Sequence, residues 1–168
     1  MKSDSIIIIP TYNEKENIEN IIRAIYALEK PFHILVVEDN SPDGTANIVR
    51  NLQKEFPEEL FMIERKGKLG LGTAYIAGFK WAIEHQYDYI FEMDADFSHP
   101  PKDLLRLYDA CSKGADMAVG SRYVDGKISV NPKIPDEWQY FTVDNLWING
   151  KCYKVTYNAE SGVKIIQK

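Results

Sequence analysis

Asp94 and Asp96 stand one residue apart in EMDADFSHPP, at the end of the apolar run YDYIF. On an extended strand, that spacing puts both carboxylates on one side. Two hard oxygen donors so placed suit Mg2+ or Mn2+, which take carboxylates together with the oxygens of a substrate phosphate. A solvated acidic turn capping the next helix is the competing reading of the same triplet. His99, set before two prolines, reads as an exposed loop histidine rather than a ligand.

Other clusters favour a ligand. Glu38, Asp39 and Asn40 end a second apolar run, and Tyr12, Asn13 and Glu14 follow a third. Carboxylates accept hydrogen bonds from a ribose or a base edge, and an aromatic ring stacks on a base. A nucleotide therefore fits these residues better than a bare metal. Arg65, Lys66, Gly67 and Lys68, followed by Leu69-Gly70-Leu71-Gly72, supply the cations and small residues that a diphosphate needs from a close backbone and charge-assisted partners. The stretch matches neither GxxxxGK[ST] nor GxGxxG, which excludes P-loop and Rossmann assignments at the motif level.

Alternating strands and helices must position these clusters. SIIII, stopped by Pro10, reads as a strand buried on both faces. Asn13 is placed to cap a helix whose stripe is Ile18, Ile21, Ile22, Ile25 and Leu28. HILVVED is a second strand, and Ser41-Pro42-Asp43-Gly44 turns into a helix with Ala46, Val49, Leu52 and Phe56 on one side. LFMIER, a helix packing Ala74, Ala77, Gly78 and Trp81, YDYIFEMD, the helix PKDLLRLYDACS and the strand DMAVGSRY complete the series. This pattern predicts an α/β sandwich around a mainly parallel sheet. In such sheets ligands bind beyond the carboxyl ends of the strands. Residues 10–14, 38–40, 65–72, 94–98 and 120–123 are thus expected to converge on one edge.

After residue 126 the pattern changes. NPKIPDEW is broken by prolines, and Asn149-Gly150 and the stretch 158–162 punctuate β-rich runs, predicting a three-stranded antiparallel meander. The domain reading is therefore an α/β domain over residues 1–126 and a divergent β-rich tail over 127–168.

Composition narrows the function. A chain of 168 residues with 45% hydrophobic content can bury one good core. Its net charge of −5 and lack of a basic block argue against a nucleic-acid partner. Cys111 and Cys152 lie in no zinc-like or disulfide-like spacing and read as reduced thiols, a cytoplasmic feature. No run approaches the ~18 apolar residues of a membrane span.

IIIIPTYNEKENI, VVEDNSPDGT, RKGKLGLGTAY, EMDADFSHPP and VGSRY, in that order, resemble family 2 glycosyltransferases of the GT-A fold. Within that family they are similar to the dolichol- or polyprenol-phosphate mannosyltransferases. The resemblance covers roughly residues 4–126. It implies the α/β/α sandwich of the nucleotide-diphospho-sugar transferases, and transfer of mannose from GDP-mannose, or another nucleotide sugar, to a polyprenyl phosphate with inversion at the sugar. By position, Pro10, Tyr12, Glu14, Val37 and Asp39 would line the nucleotide pocket and Lys68 would serve the diphosphate. Asp94 and Ala95 would touch the donor, Asp96 and Ser98 would hold Mg2+ or Mn2+, and Arg122 would bind phosphate. Asp94, Asp96 and Arg122 are the expected catalytic set. A lipid acceptor implies a cytoplasmic protein working at the membrane face.

Residues 127–168 show no counterpart of the family's late Arg or Ser-Lys pair. The expectation is a nucleotide-binding half joined to an unrelated end by truncation, fusion or frameshift, with transfer impaired. The alternative is an inactive nucleotide-sugar-binding or assembly module that self-associates through the β tail.

Overall fold

Continuous β-branched runs fold as strands that can bury both faces, because their branched side chains pack on a pleated surface. SIIIIPT forms β1 (Ser5–Thr11), buried at every residue but Pro10, and HILVVE forms β2 (His33–Glu38), buried throughout. β3 (Leu60–Glu64) and β4 (Tyr89–Glu92) complete a parallel sheet of order β3-β2-β1-β4. The crossovers that parallel pairing requires are α1 (Ile18–Tyr26), α2 (Thr45–Glu55) and α3 (Leu71–Glu84). The computed structural model describes residues 3–120, 140–148, 151–158, 160 and 162–168. The chain divides into two units, Met1–Leu104 and Leu105–Lys168.

α1 buries Ile18, Ile21, Ile22 and Ile25 as its spacing predicts. Its start differs from expectation, since Asn13 does not cap it. Asn13 takes a left-handed φ of 60° and donates its N–H to Ser41 Oγ. A turn follows, in which the Glu14 carbonyl accepts from the Asn17 and Ile18 N–H groups, and the helix begins at Ile18.

α3 buries Ala74, Gly78 and Ala82, at i, i+4 and i+8. A Cβ on Gly78 would stand 2.6 Å from Ile8 Cγ2, so glycine lets the helix approach β1 closely. Trp81, expected on this face, is half-buried instead, with its ring 4.9 Å from Phe61 and stacked 3.7 Å from His85.

α4 (Asp103–Ser112) runs across the boundary between the units. The second unit holds β5 (Met117–Val119), β6 (Tyr140–Ile148), β7 (Lys151–Asn158) and β8 (Gly162–Gln167), in the order β5-β6-β7-β8. The expected meander is present, for β6, β7 and β8 pair antiparallel around Leu146, Tyr153 and Val155. β5 corrects the sequence reading. It pairs in parallel with β6 through Met117, Ala118 and Val119, rather than extending the first sheet. Asn149, Gly150 and the segment 121–139, which includes Arg122, lie outside the described residues. Among the described residues, no helix is long and apolar enough to cross a membrane.

Candidate active site at the strand ends

Period-two alternation decides which side chains share the site. Ile6, Ile8, Leu35 and Val37 pack with Ala74 and Ala82 of α3, joined by Phe61, Ile63 and Ile90. Continued past the strand ends, the same parity aims Pro10, Tyr12, Asp39, Arg65 and Asp94 toward the α3 side. Contacts bear this out: Arg65 grips Asp39, Lys68 Nζ lies 4.6 Å from the centroid of the Tyr12 ring, and the Tyr75 hydroxyl of α3 donates to Asp94 Oδ1 at 3.3 Å. Four strand ends of one sheet therefore meet on one edge, as their sequences predict. Gly120, the first residue of the fifth expected end, belongs to the other unit.

The end of β2 is a satisfied acidic cluster. Glu38, 1% exposed, accepts the N–H groups of Asn40 and Ser41 at 2.8 and 2.7 Å. Asp39 accepts Arg65 Nε and Nη2 at 2.5 and 2.6 Å, and the Leu69 N–H at 3.3 Å. Asp43 accepts the Thr45 N–H and hydroxyl at 2.9 and 2.6 Å and the Lys15 N–H at 3.0 Å. Partial burial alone would raise the Asp43 pKa; the hydrogen bonds from Thr45 and Lys15 outweigh it and hold the carboxyl below its ordinary value. Ser41 Oγ, Thr45 Oγ1 and Asp43 Oδ2 together receive the consecutive N–H groups of residues 13–15. The SPDGT turn thus fixes the backbone that carries Tyr12 and Glu14, a role sequence reading missed. Its signal was the Asp-x-Thr spacing of an Asx turn opening a helix.

Arg65 departs from its expected place at a diphosphate. Its guanidinium is committed to Asp39, Thr73 Oγ1 and the Gly70 carbonyl. Lys66 and Lys68 are the exposed cations of this loop, and Lys68 lies over the Tyr12 ring. Val37 is fully buried, while Glu14 accepts from the Asn17 amide at 2.9 Å.

The end of β4 is different. Asp94 is half-buried and held by Tyr75, whose phenol pKa is pushed up by burial and then by the Asp94 charge. Ala95 is 3% exposed, so its small side chain packs inward. The strand ends earlier than the sequence suggests, at Glu92, so Ala95 and Asp96 lie in a turn and Phe97 follows with φ 58°. Asp96 is exposed; the Ser98 N–H, donated to it at 2.8 Å, the Ser98 side chain and the nearby His99 hold its pKa below the ordinary value. The Ser98 hydroxyl lies 3.3 Å from His99 Nδ1. Among the described residues no Lys or Arg pairs with Asp94 or Asp96, and no group of three or more His, Cys, Asp or Glu could hold a metal unaided. Two carboxylates and a serine hydroxyl fit a hard divalent cation whose remaining positions are filled by water and phosphate oxygens.

A family model described as Glycosyl transferase family 2 matches residues 6–161. The chain is 48% identical over 122 residues to a polyprenol monophosphomannose synthase of Mycolicibacterium smegmatis, covering 73% of this chain and 46% of the relative. It is 44% identical to an undecaprenyl-phosphate mannosyltransferase of Micrococcus luteus, covering 74% and 50%. A dolichol-phosphate mannosyltransferase of Pyrococcus furiosus is 43% identical, covering 71% and 33%. The chain thus spans half or less of the length of these relatives. Among solved structures, a Pyrobaculum calidifontis mannosyltransferase in complex with GDP-Man and Mn2+ matches with a TM-score of 0.54 and 28% identity, over 62% of this chain and 31% of that one. S. aureus TarS in complex with UDP-GlcNAc matches in fold, with a TM-score of 0.60 and 20% identity, over 76% and 37% of the two chains.

Proposed function

The chain belongs to glycosyl transferase family 2, and on that premise we propose that it binds GDP-mannose at the strand ends of its first unit and transfers mannose to a polyprenyl phosphate. The observation that carries this reading is the contrast in charge pairing. Asp94 and Asp96 have no Lys or Arg partner among the described residues, while Lys68 stands exposed over an aromatic ring on the same edge.

In this reading Tyr12 stacks on the base, with Pro10 and Val37 as wall and floor. Asp39 meets the nucleoside and Glu14 holds the turn that carries Tyr12. Lys68 swings from the Tyr12 ring to the diphosphate, exchanging a cation–π contact for a charge-assisted one. Asp94 and the backbone of Ala95 face the donor sugar. Asp96 and Ser98 would hold the divalent cation, Mg2+ or Mn2+, which when bound neutralises charge on the diphosphate leaving group. The acceptor phosphate is an anion at neutral pH and needs little help from a protein base. Arg122, by resemblance, holds that phosphate near the anomeric carbon. A lipid acceptor places the work at the cytoplasmic face of a membrane, and the edge strand β8 offers a surface for self-association.

Two measurements test the reading. GDP should bind at least tenfold more weakly in chelator than with Mn2+; equal affinities would remove the metal. Labelled mannose should pass from GDP-mannose to a short-chain polyprenyl phosphate, and turnover with UDP-glucose or UDP-N-acetylglucosamine instead would reassign the donor.

A further inference from the structure

The Arg65–Asp39 pair sits where the nucleoside would be read, and its geometry constrains how. Asp39 follows β2 directly, and its N–H donates to the Thr11 carbonyl at 3.1 Å. Because Thr11 and Glu38 are register partners, Asp39 lies beside Tyr12. A base stacked on Tyr12 therefore turns its edge toward this carboxylate.

A carboxylate has about four lone-pair positions, two on each oxygen. Arg65 Nε takes one on Oδ1, Arg65 Nη2 takes one on Oδ2, and the Leu69 N–H takes the other on Oδ2. The fork occupies the edge on which both oxygens point the same way. One position on Oδ1 is left over. Arg65 is not readily displaced from its place. The two side chains are 9% and 8% exposed, and Arg65 Nη1 and Nη2 are also held by Thr73 Oγ1 and the Gly70 carbonyl at 2.7 and 3.3 Å. Withdrawing the guanidinium would leave a buried carboxylate unpaired, which is strongly unfavourable.

We infer that Arg65 is a specificity residue: by occupying the two-oxygen edge of Asp39, it restricts that carboxylate to a single hydrogen bond with the base. The inference rests on the nucleoside site proposed above. Guanine presents two adjacent donors, N1–H and the 2-amino group, which an unobstructed carboxylate would accept together. Here Asp39 accepts one, so the 2-amino group adds nothing through this residue. Arg65 and the Leu69 N–H thereby set how selective the pocket is for the base, through Asp39 and without touching the base themselves.

Calorimetric titration with GDP and with IDP, which lacks the 2-amino group, tests this in the presence of Mn2+. The unaltered chain should bind the two within about threefold, because the hydrogen bond that Asp39 makes is common to both; a second charge-assisted bond would be worth roughly tenfold or more. Arg65→Lys keeps the charge but opens the paired edge, and should raise the preference for GDP to about fivefold or more. A preference of tenfold or more in the unaltered chain that collapses in Asp39→Asn would overturn the inference, as would an unchanged GDP/IDP ratio in Arg65→Lys. The first result needs no variant containing an altered Arg65 and so survives a folding defect there. Failure of every nucleoside diphosphate to bind would instead remove the underlying site, and the inference with it.

Discussion

Two acidic stretches stand at the ends of two strands of one sheet, β2 and β4, with β1 between them, and the structure uses them in opposite ways. In EDNSPD, at the end of β2, Glu38, Asp39 and Asp43 accept backbone N–H groups, the Thr45 hydroxyl and an arginine fork. In MDADFS, after β4, among the described residues Asp94 accepts one tyrosine hydroxyl and Asp96 is met by Ser98 and the nearby His99. The first stretch holds the edge together; the second faces outward from it. The difference teaches that counting carboxylates does not locate a cation site. What matters is how many of their lone pairs the fold has already filled.

The largest expected effect comes from breaking the outward acid. Asp96→Ala removes the exposed carboxylate assigned to the cation, and transfer from GDP-mannose should fall at least about 100-fold, or ~2.7 kcal/mol in the barrier. Stability should stay within about 0.5 kcal/mol, as for other surface substitutions. Initial rates beside a thermal melt of the same sample check both halves. Undiminished transfer would show that Asp96 is as structural as the acids of β2.

The converse holds at Glu38, whose carboxylate serves two N–H donors at a residue 1% exposed. Glu38→Ala should destabilise the fold by about 2–4 kcal/mol, since hydrogen bonds to a charged acceptor are lost and two amides are stranded. Glu38→Gln, which keeps one good acceptor, should cost roughly half as much by the same accounting. Urea denaturation measures both. A loss below about 0.5 kcal/mol for the alanine variant, the range typical of surface positions, would place Glu38 with Asp94 and Asp96 and dissolve the contrast.

Strong local signals were legible in the sequence, and long-range pairings were not. β1 follows from a continuous β-branched run, β2 from an apolar run, and α1 from its isoleucine spacing, because burial on both faces of a strand or one face of a helix leaves its trace in the sequence. The meander was legible through its turn residues. The sheet to which β5 belongs was not: three residues of strand carry no mark of their partner, which here is β6, some 29 positions later in the register Met117 to Leu146. At the site, the four converging strand ends were foreseen because parallel sheets place ligands there. The internal commitments of Arg65 and Asp43 were not, since a charged residue in a glycine-rich loop looks the same whether it faces a ligand or a neighbouring carboxylate. Tyr75 was overlooked for a similar reason, its hydroxyl being indistinguishable in sequence from that of a packing aromatic.

The smallest expected effect is the pH dependence of the first stretch, at Asp43. Asp43 ordinarily titrates near 3.8, and in the fold its pKa lies lower because the bonds from Thr45 and Lys15 outweigh partial burial. The unfolded chain therefore takes up the proton first as pH falls. The stabilisation from this group is complete above 3.8 and is lost as pH drops through the lower folded value. Because the carboxyl is partly open to solvent, the gain should stay below ~1 kcal/mol. Asp43→Asn, which cannot ionise, should lower the melting temperature slightly near neutral pH, and the gap should close in acid below the ordinary carboxylate range. Melting the two proteins in parallel from about pH 7 to about pH 2 reads that gap directly against the linkage expectation. A gap that stayed constant into strong acid would mean that the neutral carboxyl holds Thr45 and Lys15 equally well, and the charge at the end of β2 would then be incidental to the turn it closes.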